Sequence, residues 1–432
     1  MDPRDYQGIL WLADLQEEFE LWDIKKFKRD RKLVLTLRRK RRRGRCSGCG
    51  CLSDRIHSTE RVRLRDLSAF GYQVTLVVQR FTLRCSSCEL FLVESHPLWR
   101  KRRSFTWRYE CHVSHLCEEL TNLGVARLEG LNDKTVFNID HELLQLRMQH
   151  QNLPELGPHY SMDEVYFRYF PNWHKDKEKS FVTNLLDLTH RKVISNAPGR
   201  SQKSAENCLF FLSKSQKRKA KSFATDLHSP YHRAIRKHCP HADIVLDRFH
   251  IMQLFSEAMN EFRKKQLSMA QDFNEIRLLK GDCKWLLLTK EQKLNQSGKA
   301  LLEELKSLNE RVVDALLVRE KLQHFFQSPH LKIAKIRWFQ FQKLIHEVDI
   351  PQFYEFYRKL KKWLPELWNY FHHKTTSAVI EALNHKIKVT RACAYGYKNL
   401  SYYRLKILQR VGFLNSRFAP LPQLLKNQGL ST

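Results

Sequence analysis

FATDLHSPYHRAIRKHCPHADIVLDRFH, residues 223 to 250, sets the architecture of the middle of this chain. Lys221 to Asp226 reads as a short apolar strand ending in an acid. Tyr231 to Cys239 reads as a helix, and Ala242 to Asp247 as another short strand, again ending in an acid. Upstream, Tyr160-Ser161-Met162-Asp163-Glu164-Val165 reads as a strand end carrying carboxylates. Phe181 to Leu188 and Lys192 to Asn196 read as two further strands, and Ser204 to Gln216 as a helix.

The order is three strands in successive hairpins, then helix, strand, helix, strand. That is the order of a ribonuclease-H-like fold. Asp163 and Asp226 each fall at the end of an inferred strand, where an unpaired buried carboxylate costs stability. Convergent carboxylates at strand ends suit two Mg²⁺ ions, which prefer oxygen ligands and clamp the two oxygens of an in-line phosphoryl displacement. From 251 to 376 the pattern turns helical, as in Leu301-Leu302-Glu303-Glu304-Leu305 and Phe353-Tyr354-Glu355-Phe356-Tyr357. An all-helical insertion accounts for it. Residues 377 to 388, SAVIEALNHKIK, follow as a helix with Glu381, Asn384 and Lys388 on one face.

The N-terminal third reads differently. Of residues 25 to 45, thirteen are Lys or Arg and only Asp30 is acidic. Such a density repels itself without a polyanion nearby, so Arg38, Arg39, Lys40, Arg41, Arg42 and Arg43 read as nucleic-acid contacts. Next come Cys46-Ser47-Gly48-Cys49 and Cys85-Ser86-Ser87-Cys88, with the strand-like run Val74 to Arg84 delivering the second pair. Four thiolates at two such knuckles suit tetrahedral Zn²⁺, and the expected module is a zinc ribbon too small for a large core. Cys51 stands at the wrong spacing to replace Cys49. Beyond Trp107 the spacing is helical, with a break at Thr121-Asn122. Ala126-Arg127-Leu128, a turn at Gly130 and a cap at Asn132 or Asp133 fit a helix-turn-helix. Lys134, Thr135 and Asn138 would then face the major groove. Gln151 to His159 reads as a linker.

Composition agrees. In 432 residues, 76 Lys and Arg against 46 Asp and Glu give a formal charge of +30, too basic for an ordinary metabolic enzyme. At 42% hydrophobic the chain can bury real cores. No run of about 18 apolar residues exists, so no membrane span is expected. The first twenty residues do not read as a secretory signal. Eleven cysteines, an odd number with two clustered pairs, point to a reducing compartment and to metal before disulfides.

Four segments together resemble bacterial insertion-sequence transposases of the ISL3 family: RCSGCG through LRCSSC, the strand opening MDEV, FATDLHSPYHRAIRKHCPHADIVLDRFHIMQLFSEAMNEFRK, and SAVIEALNHKIKVTRACAYGYKNLSYYRLKIL. The resemblance spans roughly residues 30 to 410. It implies a multidomain α/β chain: a segment with the zinc ribbon (1–104), a helix-turn-helix (105–150), a ribonuclease-H-like catalytic domain (160–250 and 377–415) and a helical insertion (251–376). It implies a DDE transposase whose triad falls on Asp163, Asp226 and Glu381, holding Mg²⁺ or Mn²⁺. Asp247 and His250 would be site-proximal supports beside Asn384 and Lys388. Asp247 rivals Asp226 for the second triad position, and Asp226 is preferred because it ends the fourth strand. The implied partners are double-stranded DNA, as terminal inverted repeats and target, and further copies of the chain in a dimer or larger assembly, with no membrane. The implied place is the bacterial cytoplasm, at the nucleoid. One departure is the long aromatic turn YFRYFPNWHKDKEKS after Asp163. The rival reading is a sequence-specific DNA-binding repressor or an inactive transposase copy.

Overall fold

In the computed structural model the described residues are 10, 15–100, 103–151, 153–166, 180–280, 284–289, 291–373, 378–394, 396–417 and 419. Most of the aromatic turn after Asp163 lies outside them. The chain forms two compact units: Met1–Leu153 with Cys393–Tyr395 and Ser401–Thr432, and Pro154–Ala392 with Gly396–Leu400.

The first unit opens with β1 (Phe19–Phe27), β2 (Lys32–Arg39), β3 (Gly44–Cys46), β4 (Leu52–Ser53), β5 (Ile56–Arg65), β6 (Gln73–Arg84) and β7 (Phe91–Ser95). Their order is β1-β2-β6-β7-β3-β4, with β5 on the other side of β6. β2 runs parallel to β6, and the other pairs are antiparallel. Burial alternates with period two, as a half-buried sheet requires. Leu35 and Leu37, Val62 and Leu64, and Val74, Leu76 and Val78 all turn to one face and close on Leu21, Leu98 and Trp99. This corrects the expectation of a minimal metal-pinned module. The ribbon is the far end of a larger sheet, and β6, at 12 residues, belongs to both the apolar core and the metal site.

Three capped helices follow: α1 (Trp107–Leu116), α2 (Asn122–Glu129) and α3 (Asp133–Gln149). Thr106, Thr121 and Asn132 accept backbone N–H groups at the three N-termini. Gly130 closes α2 at φ +62°, a left-handed conformation that favours glycine. Tyr109, Val113, Val125, Val136, Ile139 and Leu143 bury the helices against one another.

In the second unit β8 (His159–Tyr166), β9 (Phe181–Asp187) and β10 (Lys192–Pro198) form an antiparallel meander. Then come α4 (Gln202–Leu209), α5 (Lys214–Lys219), β11 (Ser222–Thr225), α6 (Ser229–His238) and β12 (Asp243–Leu246). The sheet order is β10-β9-β8-β11-β12, with β11 parallel to both neighbours. The single helix read over Ser204 to Gln216 is two, because Ser213 starts a new one with a capping box closed by Gln216.

Helices then run from α7 (Arg248–Met269) through α8 (Phe273–Leu279), α9 (Lys284–Leu288), α10 (Gln296–Leu308), α11 (Glu310–Phe326), α12 (Leu331–Val348) and α13 (Pro351–Lys361) to α14 (Leu364–His373). Phe255, Phe262, Phe325, Phe341 and Phe353 are among the buried residues of their common core. Asn369 Nδ2 donates to Ile244 O of β12 at 2.9 Å, fastening α14 to the sheet.

α15 (Ala378–Cys393) carries Glu381, and α16 (Leu400–Val411) ends the described helices. The two part company. α15 lies almost wholly in the second unit, whereas α16, from Ser401 on, belongs to the first. Residues 377–415 are therefore not one catalytic segment. The reason is a buried polar cluster. Lys406 Nζ donates to Asp140 Oδ2 (3.1 Å) and Cys117 O (2.6 Å), and the Tyr402 hydroxyl donates to Asp140 Oδ2 (2.7 Å). Ser114 donates to Asp140 Oδ1 (2.9 Å), so the buried carboxylate is satisfied only with α16 in place.

Candidate active site and metal centres

Strand register builds the acidic site. Met162, Thr225 and Leu246 sit side by side on β8, β11 and β12. One residue further, Asp163, Asp226 and Asp247 therefore stand in a row, and Asp247 N donates to Thr225 O at 2.8 Å. Asp226 and Asp247 directly follow their strands. Asp163 does not end its strand, as the sequence reading had it. It is the fifth of eight residues in β8, which runs on to Tyr166 beside β9. The row still lies at the C-terminal edge, because β11 and β12 stop there.

A cleft of about 570 Å³ at this edge is lined by Asp163, Glu164, Asp226, Asp247, His250, Glu381, Asn384 and Lys388, among others. The structure thus brings together every acid and support read for this site. Asp163 and Asp247 are buried, Asp226 is half-buried and Glu381 is exposed. Asp163 Oδ1 accepts from Glu164 N (2.8 Å) and Oδ2 from Asn384 Nδ2 (2.5 Å). That second bond ties α15 to β8 one helical turn beyond Glu381. The other amide atom, Asn384 Oδ1, is buried without a hydrogen-bond partner.

The two rivals for the second position differ in their bonds. Asp247 caps α7, accepting from Phe249 N (2.9 Å) on Oδ1, and His250 Nδ1 donates to Oδ2 (3.2 Å). Asp226 Oδ1 accepts from His228 N (3.1 Å).

The electrostatics are those of crowded acids. Burial, with the charges of Glu164 and Asp163 added, pushes the Asp226 carboxyl up to about 6 against the pull of His250. Burial likewise raises Asp163. Burial opposes charge on His250, but its bond to Asp247 and the charges of Asp163, Asp247 and Asp226 win, lifting it to about 9. Glu164 is a fifth carboxylate, to which the sequence reading gives no role although it adjoins Asp163. Tyr231 donates to its Oε2 at 2.9 Å, and Arg200 lies 4.0 Å from Oε1. Hard oxygen donors are the chemistry a divalent cation prefers, but among the described residues the carboxylates, unlike the thiols, do not close in threes to within 4.8 Å of one another.

The second centre is local. The four sulfurs of Cys46, Cys49, Cys85 and Cys88 lie within 4.8 Å of one another. Cys46 Sγ is 3.7 Å from Cys88 Sγ, and Cys49 Sγ is 3.5 Å from Cys85 Sγ. Zn–S bonds of about 2.3 Å in a tetrahedron require edges of about 3.8 Å, so the thiols fit zinc. Each knuckle turns the same way. Gly50 N returns to Cys46 O and Glu89 N to Cys85 O, both at 3.0 Å. Gly50 and Glu89 both take positive φ, +77° and +53°. Backbone amides of Cys88 and Ser87 draw the Cys85 thiol down to about 6, towards the thiolate that metal needs. Cys51 is exposed and outside the cluster.

Of the basic run, Arg38, Lys40, Arg41, Arg42 and Arg43 are exposed. Arg39 is not, and its reading as a DNA contact is corrected. It lies on the core side of β2, where its guanidinium donates to Glu94 Oε2 (2.5 Å) and Glu18 Oε2 (3.1 Å). Breaking such a buried pair leaves Glu94 uncompensated, so Arg39 acts in the fold. Lys134 and Asn138 are exposed at the start of α3, and Thr135 is half-buried.

A carboxylate cleft joined to a cysteine ribbon on a basic chain is the outfit of an enzyme that works on DNA, and the comparisons agree. Residues 170–407 match the ISL3-type DDE transposase family, described as transposase. Residues 42–88 match the zinc-finger of the transposases of IS204, IS1001, IS1096 and IS1165. The chain is 27% identical over 365 residues to the transposase for insertion sequence element IS1001 of Bordetella parapertussis, covering 84% of this chain and 87% of that one. This chain belongs to the ISL3 family of transposases. Its N-terminal ribbon, with four cysteines gathered, is a structural zinc site. The longer family match begins beyond Asp163, which rests on geometry alone. No described helix is long and apolar enough to cross a membrane.

Proposed function

We propose that this transposase binds the terminal inverted repeats of its insertion sequence and carries out metal-dependent strand cleavage and strand transfer on a ribonuclease-H-like domain, into which α7 to α14 are inserted. The observation that carries the reading is the gathering of Asp163, Asp226 and Glu381 in one cleft from positions far apart in the chain. These three would hold Mg²⁺ or Mn²⁺. When bound, a pair of such ions stabilises the attacking and leaving oxygens of an in-line displacement at phosphorus.

The chain's own residues do the positioning. Asn384 holds α15 against Asp163, so that Glu381 faces the row of aspartates. Asp247 is occupied at both oxygens by the start of α7, which favours Asp226 as the second ligand. His250 offsets the charge of the row, and Lys388 stands in the cleft where a phosphate would enter. Arg38, Lys40, Arg41, Arg42 and Arg43 neutralise phosphates without reading sequence. α2 and α3 serve as a helix-turn-helix, with Lys134, Thr135 and Asn138 towards the bases. Joining two ends in concert calls for a dimer or larger assembly on DNA, in the bacterial cytoplasm at the nucleoid.

The test is cleavage and joining of labelled DNA carrying the element's ends, with Mg²⁺ or Mn²⁺. Asp163→Asn, Asp226→Asn and Glu381→Gln should each lose activity by roughly a thousandfold. Asp247→Asn should retain more. A wild type that binds the ends specifically yet never cuts them would replace this reading with the repressor.

A further inference from the structure

The core-facing side of the N-terminal sheet is closed, and its other side is open. On that side Thr36 and Arg38 of β2, Gln79 of β6, and Arg61 and Arg63 of β5 alternate with the buried apolar residues. Trp22 joins them from β1, where the register slips between Leu21 and Asp23. Trp22 is 59% exposed, so its ring is open to a partner. The Arg38 guanidinium lies over the ring at 4.9 Å from its centre. Trp22, Thr36, Arg38, Arg61 and Gln79 line one shallow concavity of about 360 Å³. Carboxylates stand at one end: Glu20 lies 3.6 Å from Arg38, and Asp23 lies 3.8 Å from Lys25.

We propose that this open sheet face binds single-stranded DNA, with a base stacked on Trp22 and the phosphates running across Arg38, Arg61 and Arg63. The inference deepens the DNA-binding reading above and concerns a surface separate from the carboxylate cleft and from α3. Two features select the occupant. The guanidiniums match a polyanion, and a flat exposed indole offers a stacking face that only an unstacked base can use. A duplex buries its base faces and would meet the arginines alone. From β1 across β2 and β6 to β5 are three strand spacings, about 14 Å, enough for a few nucleotides.

The test uses the full chain with its zinc, fluorescently labelled oligo-dT, and a duplex of the element's end. Trp22→Ala should weaken oligo-dT binding about 5- to 100-fold, the range for losing one stacked base. Trp22→Phe should restore most of it, and duplex binding should stay within about twofold. Arg61→Ala, which leaves the indole in place, should lower the salt slope for oligo-dT by about 0.7. Unchanged oligo-dT affinity in Trp22→Ala and Arg61→Ala overturns the inference. So does a wild type that binds the duplex but not oligo-dT, or a loss in Trp22→Ala that falls equally on duplex and single strand. A wild type that binds neither DNA overturns the DNA-binding reading itself. Zinc content and melting temperature identify a misfolded Trp22→Ala, in which case Trp22→Phe and Arg61→Ala decide.

Discussion

The thiol cluster and the carboxylate cluster both gather acidic side chains, yet they relate to their folds in opposite ways. The thiols sit on two short knuckles whose turns preset the sulfur spacing. Cations there complete the fold. The carboxylates are held by strand register and by a helix more than two hundred residues away, and their raised affinity for protons records burial first and mutual repulsion second. Zinc at the first site stabilises the fold, whereas the second site carries a cost of its own, the burial of its carboxylates. The ribbon stands out in a line of sequence, whereas the geometry of the acidic cleft appears only in the folded chain.

The contrast can be broken most directly at the ribbon. Cys85→Ser should abolish zinc retention and lower the melting temperature of the first unit, since structural zinc contributes about 10 kcal/mol or more to such modules. Metal analysis beside calorimetry checks it, and a variant that melts like wild type would show that the sheet core needs no metal. At the second site the sign reverses. The Asp226 carboxyl titrates near 6 when folded against 3.8 as its ordinary value, so the folded chain holds the extra proton between those limits. Stability from this group falls as pH rises from about 4 to 6, and the cost is complete above 6. Metal-free Asp226→Asn should therefore melt a few degrees above wild type at pH 7.5, equivalent to about 1–3 kcal/mol. The gap should close towards pH 4, and a destabilised variant at pH 7.5 would end the contrast. The smallest effect tests knuckle symmetry. Glu89 holds a positive φ where the other knuckle has Gly50. Glu89→Gly should raise thermal stability by about 1 kcal/mol or less, and a loss would mean the side chain matters more than the backbone.

What could be read in the sequence follows the same divide. β11 and β12 are short strands buried on both faces, so their apolar runs stand out, and α15 shows Glu381, Asn384 and Lys388 at helical spacing. β5 gives no strand signal in the sequence because four of the ten residues of IHSTERVRLR are charged and only Val62 and Leu64 turn inward. Arg39 looks like its neighbours in a basic run, and its burial depends on Glu18 and Glu94, 21 and 55 residues away. The sequence puts Asp163 at a strand end because it cannot say that β8 outruns β11. Glu164 has no role in the sequence reading because alternation assigns it to the opposite face, whereas the sheet edge lets both faces line the cleft.

The burial of Asp140 under α16 has a bearing on synthesis. The three helices α1 to α3 leave the ribosome long before the lysine that neutralises Asp140 does. Some 250 further residues must be translated first, which at about 5–20 residues per second is about 10–50 seconds. Until Lys406 and Tyr402 arrive, the carboxylate must stay hydrated and the helices cannot close over it. A chain interrupted before α16 would carry every residue of α1 to α3 and still lack the finished form of this three-helix module. Completion of the polypeptide thus acts as a checkpoint on the helical module that directly follows the N-terminal sheet.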